Sequence, residues 1–158
     1  MDASSLPNLD EWYSYVEDED LRKDAIQYFR HSLHTKGFDI SLKPPSSRLV
    51  ADAIIPKRLD DPAQRDEIKF AANYAVATYN SKMGKPLLLV EIVKANVAWR
   101  YGRFYLTLRA VDERTLELKT YQTRVYLYYQ FNLLNKDEDE VETFMPLPDT
   151  QFCNRFGI

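Results

Sequence analysis

The sequence predicts an α+β domain, one long helix followed by a meander of antiparallel strands. Three observations carry this expectation: a capped helical segment at residues 61 to 80, three strand-like runs with hairpin-length gaps behind it, and enough apolar residues to fill one core. The 158 residues are 45% apolar and 13% aromatic, which suits a single compact unit that needs no metal or disulfide to hold it together.

The helix of residues 61 to 80 has its own start and stop signals. Asp60 or Asp61 can cap the first amides, Pro62 suits the first helical position, and Asp66 and Glu67 lie near the positive end of the helix dipole. Ile68, Ala71, Ala72, Ala75, Val76 and Tyr79 recur at helical spacing, and the three alanines let a sheet approach closely. Asn80 and then Gly84 end the helix before Pro86. Leu87 to Val97 reads as the first long strand. Phe104 to Val111 alternates Phe104, Leu106, Leu108 and Ala110 with Tyr105, Thr107 and Arg109. Leu116 to Tyr129 reads as a third strand whose apolar face changes parity, from Leu116 and Leu118 to Tyr121, Val125 and Leu127. A bulge near Lys119 or Thr120 explains that change, as does a strand that curls around a helix. Thr143 to Ile158 supplies a final strand and a tail.

The chain divides into an N-terminal extension, residues 1–47, and a main domain, residues 48–158, expected to form one compact unit. In the extension, Asp18 to Thr35 sets Leu21, Ala25, Ile26, Phe29 and Leu33 at helical spacing, with Gly37 beyond the end as a C-cap. Leu6, Leu9, Trp12, Tyr13 and Tyr15 form an apolar cluster that packs on the body or serves as a partner-binding arm. Pro44-Pro45-Ser46-Ser47 breaks the pattern, and Arg48 to Ile55 reads as a short strand.

Charge and motifs argue against several classes of function. Net charge is -3, with 21 basic and 24 acidic residues dispersed, so no nucleic-acid partner is expected. No segment approaches the roughly 20 apolar residues that span a bilayer, so no membrane association is expected. Cys153 is the only cysteine, which excludes an intramolecular disulfide and favours a cytoplasmic or nuclear address. The acidic runs Glu17 to Asp20 and Asp137 to Glu140 lack calcium-loop spacing and read as solvated turns or helix starts. His31 and His34 have no third ligand near them in sequence and read as surface histidines. Cys153 lacks an activating context, and only four glycines are present, without a phosphate loop. No catalytic residue, metal or cofactor is assigned.

Leu59-Asp60-Asp61-Pro62, Ala72, Tyr74-Ala75-Val76, Tyr79-Asn80, Val90-Glu91-Ile92-Val93-Lys94, Phe104-Tyr105-Leu106-Thr107-Leu108 and Arg124-Val125-Tyr126 together resemble the plant cystatins, and more closely the divergent plant cystatin-related proteins. The resemblance covers about residues 54 to 134. It implies a cystatin-like fold, with one long helix in a curved antiparallel sheet, and a protein partner, a papain-like cysteine protease, whose cleft is entered by an N-terminal strand and two hairpin loops. The loops depart from the family pattern of Gln-x-Val-x-Gly and Pro-Trp. Val97, Ala98, Trp99, Arg100, Tyr101 and Gly102 occupy the first loop, and Tyr128, Tyr129 and Gln130 the second. The resemblance therefore implies a protein-binding domain whose protease inhibition is weakened or retuned. Trp99, Arg100 and Tyr101 are residue types enriched at interface hot spots, while Trp99 reads equally as a sheet-face aromatic. A second expectation places a small ligand, or isomerase or cyclase chemistry, between helix and concave sheet, with Tyr74, Glu91, Tyr105, Tyr121 and Tyr126 as its polar groups. Ordinary packing also explains the tyrosines, and an ion pair explains Glu91.

Overall fold

Among the described residues, five antiparallel strands in the order β1-β2-β3-β4-β5 form the sheet. The computed structural model describes residues 8–42, 44, 53–98, 102–127 and 139–148. In chain order the elements are α1 (Leu9–Trp12), α2 (Glu19–His34), β1 (Ile55–Pro56), α3 (Pro62–Met83), β2 (Leu87–Ala98), β3 (Arg103–Asp112), β4 (Leu118–Tyr126) and β5 (Glu140–Pro146). This is the expected α+β arrangement, a long helix packed on an antiparallel sheet with a shorter N-terminal helix, and it agrees with the description of a cystatin-like fold.

The predicted caps of α3 are in place. The Asp61 carboxylate accepts from Ala63 N at 3.0 Å, Pro62 takes the first position, and Gly84 closes the helix in the left-handed region. The helix passes Asn80 by three residues because the Asn80 side chain is engaged elsewhere. Its Nδ2 donates to Leu87 O at 2.9 Å and its Oδ1 accepts from Leu87 N at 3.0 Å, which ties the last turn to the start of β2. Ile68, Ala71, Ala72, Ala75 and Val76 are buried as the stripe predicts. The alanines bring the helix backbone close to the sheet, so the volume between them is filled from the strands by Val97, Phe104, Leu106, Leu108 and Val125, each fully buried.

Strand alternation assigns each sheet residue to a face. Phe104, Leu106, Leu108 and Ala110 point to α3, while Arg103, Tyr105, Thr107 and Arg109 lie on the opposite face. The short β1 pairs Ile55 with Val97 and Pro56 with Asn96, and a proline is tolerated because β1 is an edge strand.

The third predicted strand needs correcting. Thr115 is in a turn, Leu116 is left-handed at φ 58, and β4 begins at Leu118. No bulge occurs at Lys119 or Thr120, since β3 and β4 pair without a break from Val111↔Leu118 to Arg103↔Tyr126. The parity change arises because Leu118 lies on the face away from α3, where it is 42% exposed, and does not belong to the core. The register shifts fall in β2, between Leu89 and Glu91 and between Ile92 and Lys94, and in β4 between Arg124 and Val125. The final strand starts at Glu140, three residues earlier than predicted, and residues 149–158, with Cys153, lie outside the described residues.

The extension docks on the sheet face opposite α3. Asp18 caps α2 by accepting from Asp20 N and Leu21 N, so part of the first acidic run is a helix start. The buried face of α2 is rotated from the predicted stripe. Ala25, Ile26, Tyr28 and Ser32 are buried, whereas Leu21 is 40% exposed and Phe29 and Leu33 are half-buried. The rotation follows from what comes after the helix. Lys36 and Gly37, at φ 53 and 82, turn the chain so that Phe38 meets the Tyr105 ring edge-on at 5.6 Å and Ile40 joins Tyr28 and Ala53 in a small second core. Asn96 Nδ2 donates to Gly37 O at 2.7 Å, and Lys94 pairs with Asp39 at 2.7 Å. In the N-terminal cluster Leu9 and Val16 are buried, while Trp12 and Tyr15 stay 56% and 68% exposed.

Tyr28 donates from its hydroxyl to Ile54 O at 2.6 Å, and burial pushes the phenol up to about 12 from 10.0. The fold favours the neutral phenol, so this contribution is complete below the ordinary value and is lost as pH climbs through about 12. Replacing Tyr28 with Phe is expected to cost about 1 kcal/mol at neutral pH through the lost hydrogen bond. It should also flatten the alkaline fall in the urea unfolding midpoint. Tyr105 and Tyr121, raised by burial as well, supply the slope that remains. An unchanged alkaline slope in the variant would count against this assignment.

Candidate functional site

One end of the sheet gathers three separate parts of the chain. Ile55 in β1 pairs with Val97, Ala98 pairs with Arg103 to close the β2–β3 hairpin, and Arg103 pairs with Tyr126 at the end of β4. Leu127 N then donates to Gly102 O at 2.9 Å, which binds the segment leaving β4 to the hairpin. Gly102 is buried at φ 62, a conformation that glycine adopts without the Cβ penalty. Val97, Ala98 and Leu127 are buried at this end, and residues 99 to 102 join β2 to β3.

The predicted loop residues divide accordingly. Val97, Ala98 and Gly102 belong to the framework that carries the loop, and their side chains or backbone are buried. Trp99, Arg100, Tyr101, Tyr128, Tyr129 and Gln130 lie outside the described residues.

Beside this end, on the face away from α3, lies a charge cluster that sequence reasoning missed. Glu142 of β5 accepts from Arg103 Nε at 2.8 Å and forms an ion pair with Arg124 Nη2 at 3.2 Å, and the Arg103 guanidinium stands over the Tyr126 ring at 5.9 Å. The Glu142 bond holds Arg103 more firmly in its charged form than usual. One carboxylate between two guanidiniums leaves the cluster positive. The signal in the sequence is the alternation in β3 and β4, which sets Arg103, Tyr105, Arg124 and Tyr126 on one face, but Glu142 enters only through the β4–β5 register.

The residues proposed for a helix–sheet pocket do not converge. Tyr74 donates to Asp139 O at 2.8 Å. Glu91, with a side chain 55% exposed, approaches Arg109 at 3.5 Å, the ion pair that the plainer reading anticipates. Tyr121 packs on the α3 side against Tyr79 and Phe144, with centroids at 6.2 and 5.2 Å. Tyr105 and Tyr126 occupy the other face, because strict alternation along β3 and β4 sends them away from Tyr121.

His31 Nε2 accepts from Ser41 N at 3.0 Å and so helps to fasten the segment after α2. Among the described residues no group of histidine, cysteine and carboxylate side chains is placed to hold a metal ion, and no described helix is long and apolar enough to cross a membrane. A comparison with models of protein families finds no match to this chain, and a comparison with curated proteins finds no similar sequence.

Proposed function

We propose that this chain is a protein-binding domain that meets its partner with the end of the sheet where β1, the β2–β3 turn and the exit from β4 come together. The observation that supports the reading is that convergence: Ile55↔Val97, Ala98↔Arg103 and the Leu127 to Gly102 hydrogen bond put three chain segments in one row on a rigid base. Loops on a rigid scaffold are where binding residues concentrate, and preorganisation lowers the entropic cost of docking. The resemblance to cystatin-related proteins makes a papain-like cysteine protease the partner to test first. The wedge of that family needs a small backbone at its tip, and Trp99, Arg100 and Tyr101 replace it with bulk. The affinity is accordingly weak, and specificity rests on the aromatic and cationic side chains.

Titration of papain with the full chain tests the reading. Reversible, competitive inhibition with Kd of about 1–100 μM is expected, well short of the nM range of tight protein inhibitors. Trp99→Ala should weaken it about tenfold or more, with an unchanged unfolding midpoint. Papain that stays fully active at about 100 μM protein would sink the protease assignment, since binding weaker than roughly −5.5 kcal/mol leaves no useful inhibition.

A further inference from the structure

Between α2 and the sheet face that α3 leaves uncovered runs a groove of about 880 Å³, within the range of roughly 300–1,000 Å³ typical of small-molecule sites. Leu33 from α2, Ile54 from the segment before β1 and the Tyr105 ring from β3 supply apolar walls. Arg30, His34 and Lys36 stand along the α2 side, and Arg124 on the β4 side. No carboxylate is among the described residues that line it.

The cations on the two walls are incompletely neutralised. Arg30 has Asp10 no nearer than 3.9 Å, and both side chains are largely exposed, so that pair contributes little. Arg124 shares Glu142 with Arg103, which takes the shorter bond, at 2.8 against 3.2 Å. The Arg124 side chain is 38% exposed and lines the groove, so the open part of its guanidinium has donors to offer an anion. Apolar walls with cationic rims and no lining acid therefore select an apolar body that ends in an anion.

We propose that this groove is a binding site for a small single-chain carboxylate, with its apolar body against Leu33, Ile54 and Tyr105 and its head group at Arg124, and with Arg30 and Lys36 supplying further positive charge. The site lies on the docked extension and the outer sheet face. It shares Arg124 with the charge cluster beside the turn end, but it does not rest on the protein-binding reading and stands or falls without it. Its formation requires the extension, because three of its four cationic or imidazole side chains come from α2 and the turn after it.

Decanoate is the probe, titrated into the full chain by calorimetry and by amide chemical shifts, with decanol as the neutral control and acetate as the head alone. Saturable single-site binding is expected for decanoate, with decanol and acetate each weaker by about tenfold or more, as a lost charge-assisted pair or a lost apolar body requires. Arg124→Gln should weaken decanoate about tenfold. The Arg30→Glu and Lys36→Glu double variant alters only exposed positions and so leaves the fold intact. It should weaken decanoate by a similar factor and leave decanol unchanged. The proposal is overturned by an absence of saturable decanoate binding at about 1 mM, which corresponds to roughly −4 kcal/mol. Equal affinity for decanoate and decanol, or shifts that map away from α2 and β4, would overturn it as well.

Discussion

Phe104→Ala is expected to destabilise the domain by about 3–5 kcal/mol, at the upper end for this substitution, because the cavity it leaves has nothing to fill it. Phe104 is fully buried, paired on one side with Val97 and on the other with Val125, both also fully buried. On the facing helix the neighbours in the core are Ala71, Ala72 and Ala75, which have no side-chain rotation with which to refill the space. Collapse would require α3 to move, and its last turn is tied to β2 by two hydrogen bonds from Asn80. Domains of ordinary stability hold about 5–15 kcal/mol, so the variant loses a large share of its margin. Val90→Ala, at a site 58% exposed, serves as a comparison and should stay within about 0.5 kcal/mol. Urea unfolding of both variants gives the measurement, and a loss below about 2 kcal/mol for Phe104→Ala would mean that α3 can settle onto the sheet.

The same alanine face explains why the main helix was legible in the sequence and the extension less so. A cap at Asp61, a proline at the first position, a stripe of small residues and a glycine at the end are local signals, each satisfied within a few residues, and the structure honours all of them. Strand β3 was legible because one face is uniformly buried, which leaves a strict alternation. The parity of β4 was misread because Leu118 is apolar but exposed, and composition does not tell a core leucine from one on the open face. The rotation of α2 depends on the turn at Lys36 and Gly37 and on Ile54 as an acceptor 26 residues away, neither of which the helical period encodes. Of the residues that the sequence offers as a first binding loop, Val97, Ala98 and Gly102 are buried, because pairing across the sheet takes them into its end, and the Arg103, Arg124 and Glu142 cluster depends on strand pairing that no single segment reveals.

Two surfaces with different chemistry thus share one sheet. The turn end joins β1, the β2–β3 hairpin and the exit from β4 in one row, and protein binding there is our proposal. The groove is built from two layers, and its walls keep their spacing only while the extension stays docked. Lys94 and Asp39, partly exposed, contribute little to that docking, no more than about 1 kcal/mol. The buried contacts around Gly37 carry it.

Gly37→Ala should therefore have the second large effect, a loss of about 2–4 kcal/mol that falls mainly on the extension. Two independent causes contribute. At φ 82 an alanine incurs the left-handed penalty of about 1–2 kcal/mol. Its Cβ would also stand 2.6 and 2.7 Å from Tyr105 Cδ1 and Cε1 and 2.9 Å from Ile54 Cδ1. Relief is blocked on both sides, since Gly37 N donates to Ser32 O at 2.9 Å and Gly37 O accepts from the buried Asn96 at 2.7 Å, while Phe38 holds the Tyr105 ring from one edge. The cheaper response is for α2 and residues 37–42 to lift from the sheet as a unit, which native-state hydrogen exchange reads as faster exchange in α2 with α3 still protected. A Tyr105→Ala background separates the two causes. There the ring clash is gone and the terminal Ile54 Cδ1 can swing into the vacated space, so Gly37→Ala should cost only about 1–2 kcal/mol, chiefly the backbone part. An equal penalty in both backgrounds would show that backbone conformation alone makes Gly37 necessary and that the close approach to Tyr105 contributes nothing. If α3 lost protection together with α2, the extension would be part of the main cooperative unit, and the groove that it forms would persist for as long as the domain stays folded.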